Sequence, residues 1–171
     1  MIAPIVKEPN LILHQKAMPL AEMTREIQTL IDTMIETMHV AQGVGLAANQ
    51  IDSNLNILVA SPDGKKGKEL VLINAKILET QGKVRLPEGC LSLPGISSEV
   101  RRAATITVQG LSRKGEPQRL KVEGLLARIL QHEVDHLQGQ LFPDRLGLLE
   151  RRKLLHRYQS LINNLRQVDL L

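Results

Sequence analysis

One phenylalanine, one tyrosine and no tryptophan serve a chain of 171 residues. With only Phe142 and Tyr158 to offer, the chain has no series of aromatic platforms on which bases could stack. That argues against single-stranded nucleic-acid binding, and no specific nucleic-acid partner is expected. The core must instead be made of Leu, Ile, Val, Ala and Met. Cysteine is almost as scarce. Cys90 is the only one, which excludes an intramolecular disulfide and suits a reducing compartment. No apolar run approaches the roughly 20 residues needed to span a bilayer, so no membrane partner is expected. The opening residues Met1 to Glu8 lack the basic lead and long apolar stretch of a secretory signal. Cytoplasmic residence is the expectation.

Hydrophobic residues make up 43% of the chain and charged residues 23%, with a net charge of +4. These are values of a globular protein, and 171 residues suffice for one domain with its own core. No repeat, linker or low-complexity tract divides the chain, so residues 1–171 are expected to form a single catalytic domain. Ile27, Leu30, Ile31, Met34, Ile35 and Met38 recur at three-and-four spacing, predicting a helix over about 24–41 that Gly43 breaks. Short strands rich in Val, Ile, Leu and Thr are predicted at 56–60, 70–74, 76–80, 104–109 and 118–123, with turns at Asp63-Gly64 and Lys114-Gly115. Two helices follow, over about 125–138 and 148–166. Helix, antiparallel strands and then helices make an α+β fold.

The strongest local signal is His132-Glu133-Val134-Asp135-His136. Histidines four apart on a helix differ by only about 40° of arc, so both rings face one point. Leu125, Leu126, Ile129, Leu130 and Leu137 define the apolar stripe of this helix, and both histidines fall within it. Two inward histidines flanking a carboxylate are costly to bury unless something such as a metal organises them. Glu133 is then the proton carrier. A catalytic centre of this kind takes three protein ligands and an open position. No third histidine follows in Gln138-Gly139-Gln140-Leu141-Phe142, and Glu150 opens a solvated charge run. Cys90 is the better third ligand. It lies in Leu86-Pro87-Glu88-Gly89-Cys90-Leu91-Ser92-Leu93-Pro94-Gly95, which reads as a loop. A third segment, Gly43-Val44-Gly45-Leu46-Ala47-Ala48-Asn49-Gln50, offers small residues that let a peptide backbone lie close, and an amide donor in Gln50.

Together, in this order, Gly43 to Gln50, Glu88-Gly89-Cys90-Leu91-Ser92 and Gln131 to Gly139 resemble the motifs of peptide deformylases, and the likeness runs from Pro9 through the last helix. The resemblance implies removal of the formyl group from the N-terminal formyl-methionine of newly made polypeptides, with release of formate. It implies that Cys90, His132 and His136 bind one divalent metal, Fe2+ above all, with Ni2+, Co2+ or Zn2+ as substitutes. It gives Glu133 the role of general base and acid while metal-held hydroxide attacks the formyl carbon. The Gln50 amide and the Leu91 backbone N–H would stabilise the oxyanion. Gly43, Val44, Gly45, Leu86, Gly89, Leu125 and Ile129 are the expected substrate-binding residues, and N-formyl-methionyl peptides the expected partners.

The chain departs from the family pattern at a few places. Asn49 reads as a loop change without consequence. Ala41-Gln42 offers no acidic residue before Gly43, which is expected to leave Arg102 without its usual ionic partner. Arg128 stands at the pocket edge where an apolar residue is common, and bears on side-chain preference. In the last helix Leu154, Leu155, Tyr158, Leu161, Ile162 and Leu165 form one apolar face, while Arg151, Arg152, Lys153, Arg157 and Arg166 make a basic surface. Packing on the body explains that helix. Transient docking at the ribosome is its functional reading. Two alternatives are a zinc endopeptidase with a downstream third ligand and a non-catalytic, metal-stabilised RNA- or ribosome-binding module.

Overall fold

Thr24 opens the first helix: its side chain accepts from the Ile27 N–H, satisfying a donor that the first turn leaves unpaired. In the computed structural model, which describes residues 1–168 and side chains through residue 164, this helix, α1, runs Arg25–Val40. It buries Ile27, Ile31, Met34 and Met38. The break comes at Gln42 rather than Gly43. Gln42 takes the left-handed conformation at φ 55°, and the Gly43 N–H reaches back to the Met38 carbonyl at 2.9 Å. Glycine at 43 answers a different need, since a Cβ there would sit 2.9 Å from Leu91 Cδ1.

The strands are β1 (Gly45–Ala47), β2 (Ile57–Ala60), β3 (Leu70–Gln81), β4 (Val84–Cys90), β5 (Leu93–Arg102), β6 (Thr105–Leu111) and β7 (Pro117–Glu123). Five of them form an antiparallel sheet in the order β1-β2-β3-β6-β7. The two strands expected at 70–74 and 76–80 are one. The seam is a register shift between Ile73 and Lys76, where Asn74 has φ 55°. Alternate side chains serve opposite faces. Leu58, Ala60, Leu72, Ile106 and Val108 pack with α2 (Gly124–Leu137), whereas Ile57, Val59, Val71 and Ile73 pack with α1. Burial on both faces accounts for the unbroken apolar run of β2.

The segment expected as a loop around Cys90 is instead a hairpin. Strands β4 and β5 pair from Val84↔Arg102 to Gly89↔Ser97, forming a two-stranded sheet of their own. Both strands of such a ribbon are edges, so Pro87 removes no essential ladder bond. A lone hairpin is marginal in water. This one is held by a separate cluster of Leu93, Ile96 and Val100 with Leu13, Leu141, Phe142, Leu154 and Tyr158. Both aromatic residues of the chain therefore sit in the one cluster that joins the hairpin to α3 (Leu148–Val168). Leu154 and Tyr158 are buried and Leu161 and Ile162 partly so, as the apolar face requires. The side chains of Leu165 and Arg166 lie outside the described ones. The α+β expectation holds. No helix among the described residues is long and apolar enough to cross a membrane.

Candidate metal centre

Three segments meet at a buried face of α2. The helix brings His132 and His136 side by side, with ring centroids 5.0 Å apart. The end of β4 brings Cys90, whose Sγ is 3.2 Å from His136 Nε2. One ligand atom from each of the three residues lies within 4.8 Å of the others. Glu150, the formal downstream candidate, is not in this group; it pairs with Arg85 and accepts from Ser98 Oγ at 3.0 Å.

The electrostatics favour a cation at the centre. Burial pushes the Cys90 thiol up, but the adjoining His136 and His132 rings outweigh it and hold the thiol well below its ordinary value. Burial pushes His132 down, yet hydrogen bonds to Cys90 and Glu88 carry it well above its ordinary value. A soft thiolate and two imidazoles, turned to one point and stabilising opposite charges on one another, are a donor set that fits a divalent transition metal. Glu133 lies beside them, its carboxyl raised by burial against the opposing pull of His132 and His136. Its Oε2 is buried with no hydrogen-bond partner among the described residues, and so is His136 Nδ1.

Glu88 was only part of a motif in the sequence, and the structure gives it a task. Its Oε2 accepts from His132 Nδ1 at 3.1 Å, leaving Nε2 to face the centre. Its Oε1 accepts from Arg102 Nε at 2.9 Å and Arg128 Nε at 2.8 Å. Arg102 is thus not without an ionic partner. It bridges Glu88 and Asp135, and Asp135 also binds Arg145. Arg102 and Glu88 shift in complementary directions, the guanidinium upward and the carboxyl downward, because the pair outweighs the burial of each.

The Gly43-to-Gln50 segment forms the opposite lip. A Cβ on Gly45 would collide with Glu133 Oε1 and come within 2.7 Å of Ile129 Cγ2, so only glycine lets β1 pass this close to the helix. Gln50 is buried. Its Oε1 accepts from the Ala47 N–H at 2.9 Å, which turns Nε2 towards Ser92 Oγ at 3.1 Å and Cys90 Sγ at 3.6 Å. The Leu91 N–H meets no acceptor among the described residues. Asn49 is more than a loop change: it is fully buried, and its Nδ2 donates to the His136 carbonyl at 2.6 Å. Residues 6–8, which carried no sequence signal, tie the lips together. The Val6 N–H donates to Gln50 O, the Glu8 N–H to Ser92 O, and Lys7 Nζ to Leu91 O.

A cavity of about 460 Å³ opens on the centre. Of the residues expected to bind substrate, Gly43, Val44, Gly45, Gly89, Leu125 and Ile129 line it, together with Gln50, Cys90, Leu91, His132 and Glu133. Leu86 does not. It is half exposed on β4 and contributes its carbonyl to Arg128 instead. Leu125, expected in the apolar stripe of α2, is also half exposed, because the helix turns this residue to the cavity rim rather than the sheet.

Comparison with known proteins gives a consistent result. The family model described as "Polypeptide deformylase" matches residues 2–152. The peptide deformylase of Aquifex aeolicus is 43% identical over 167 residues, covering 96% of this chain and 99% of the relative. That of Halothermothrix orenii is 48% identical over 136 residues, covering 79% and 87%. Among solved structures, a peptide deformylase from Legionella pneumophila superposes with a TM-score of 0.88 at 40% identity, covering 95% of this chain and 98% of that one.

Proposed function

The chain belongs to the polypeptide deformylase family, and from that premise we propose that it hydrolyses the N-formyl group from N-formyl-methionyl peptides, with residues 1–171 acting as one catalytic domain. The observation that carries this reading is the convergence of Cys90, His132 and His136 within 4.8 Å, beside the buried, unpartnered carboxylate oxygen of Glu133. A divalent metal held by the three side chains would supply a Lewis acid that acidifies water and polarises a carbonyl. We read that metal as ferrous iron; Ni2+, Co2+ and Zn2+ suit the same ligands.

The remaining steps fall to the chain's own residues. Glu133 takes the proton of the attacking water and returns it to the departing nitrogen, yielding formate and a free amine. Its raised affinity for a proton supports that task. Gln50 Nε2 and the Leu91 N–H meet the charge that develops on the formyl oxygen. Their support is the fixed rotamer of Gln50 and the uncommitted Leu91 donor. Val44, Leu125 and Ile129 offer the methionine side chain an apolar slot, flanked by Gly43, Gly45 and Gly89, where the substrate backbone finds room.

A lone cysteine that must stay reduced supports residence in the cytoplasm. Docking at the ribosome rests on Arg152, Lys153 and Arg157, exposed on α3 and without an ion pair among the described residues.

The test is formate release from formyl-Met-Ala-Ser by protein purified without oxygen and loaded with iron or nickel. Glu133→Ala is expected to keep one metal per chain and lose about 10²–10⁴-fold in kcat. Metal-loaded wild type that releases no formate would refute the reading.

A further inference from the structure

Among the described residues, Arg128 is the only lysine or arginine lining the cavity that opens on the candidate metal centre. Most of its guanidinium is committed to the protein. Nε donates to Glu88 Oε1 at 2.8 Å, and Nη2 donates to the carbonyls of Leu86 at 2.6 Å and Val100 at 3.1 Å. These bonds fix the plane of the group. Nη1 has no acceptor among the described residues, yet it is not one of the buried polar atoms left without a partner. It therefore keeps solvent contact, and the side chain, only 9% exposed, lines the cavity.

The height of this donor matters. Arg128 precedes His132 by four residues on the same helix face, about 6 Å along the axis. In a formyl-methionyl substrate the thioether sulfur lies five bonds from the formyl carbon, about 6 Å when extended. A methionine side chain that runs from the metal ligands towards the N-terminal end of α2 therefore spans the rise that separates His132 from Arg128. A thioether is a poor acceptor and leaves Nη1 to water. A sulfoxide carries a strong acceptor on that same sulfur. Val44, Leu125 and Ile129 supply no donor, so burying the S=O group among them alone would carry a desolvation cost.

Building on the deformylase reading, we propose that Arg128 Nη1 donates to the sulfoxide oxygen of an oxidised first residue, extending the substrate range to N-formyl-methionine-sulfoxide peptides. The charged donor is held in one orientation by three bonds to the protein, so its alignment costs little on binding. The two sulfoxide epimers point their oxygens differently and are hydrolysed at unequal rates.

The test compares kcat/KM for formyl-Met(O)-Ala-Ser and formyl-Met-Ala-Ser in metal-loaded wild type and Arg128→Met. The wild-type ratio is expected near one or above it, and the variant is expected to lower it at least tenfold. Equal ratios in the two proteins would overturn the proposal while leaving deformylation intact. Formate from neither peptide would remove the deformylase reading and this inference with it. A second measurement needs no variant. Met(O)-Ala-Ser should compete with formyl-Met-Ala-Ser on wild type as strongly as Met-Ala-Ser does, and tenfold weaker competition would overturn the proposal.

Discussion

Helix α2 and the β4–β5 hairpin face each other across the candidate metal centre, and they hold their side chains by different means. The helix is fixed by apolar packing: Ala127, Ile129, Leu130, Val134 and Leu137 are seated on the sheet, and the histidines follow from the period of the helix. Among the described residues the hairpin pairs with no other strand. It is held at one side by the Phe142 and Tyr158 cluster and at the other by a buried ionic seam of Glu88, Arg102, Arg128 and Asp135. One wall is positioned by the hydrophobic effect, which needs only a pattern. The other is positioned by charges whose partners must all be present, because each lone buried charge is costly.

That difference predicts which substitutions hurt. Arg102→Met removes the cation shared by Glu88 and Asp135, and is expected to destabilise the fold by about 3–5 kcal/mol, read as a shift in the urea midpoint. A loss below about 1 kcal/mol would mean that Arg128 and Arg145 neutralise both carboxylates unaided, and the contrast between the walls would fail. Gly45→Ala drives a methyl group into Glu133 and Ile129 on the helix wall. Overpacking there should cost about 1–3 kcal/mol, with loss of formate release beyond what the stability change explains. Unchanged activity would show that β1 can retreat from the helix. Tyr158→Phe removes only the hydroxyl that donates to the Glu8 carbonyl at 3.3 Å and lies 3.5 Å from that of Ser92. About 1 kcal/mol or less is expected in thermal unfolding, since the ring still fills the cluster. A larger loss would give the hairpin a polar anchor on this side as well.

The same contrast explains how far the sequence could be read. The three helices and four of the seven strands, β2, β3, β6 and β7, follow from local pattern, which survives in the sequence because their cores are built from repeating apolar positions. The hairpin escaped that reading. Pro87, Gly89, Pro94 and Gly95 carry the punctuation of a loop, and β4 turns mostly exposed residues outward. The two-histidine motif pointed to the candidate metal ligands on α2, the lack of a downstream third histidine pointed to Cys90, and the Gly43-to-Gln50 segment offered Gln50. Nothing local revealed that Glu88 orients His132, that Arg102 finds Asp135 33 residues away, or that residues 6–8 tie the lips of the site. Such contacts join distant segments and leave no period. An isolated charged residue inside a motif, as Glu88 is in Pro87-Glu88-Gly89-Cys90, was the one available hint.

In the proposed metal centre the hairpin supplies the third ligand, Cys90, and the helix supplies the other two. The chain has a single cysteine, so any thiolate-to-metal charge transfer can come only from Cys90. The decisive measurement is the near-ultraviolet spectrum of protein loaded with one cobalt(II) per chain, beside Cys90→Ser loaded in the same way. A charge-transfer band in the wild type that vanishes in the variant is expected. Stoichiometric cobalt without that band in the wild type would contradict it, and would return the third ligand to a side chain other than Cys90.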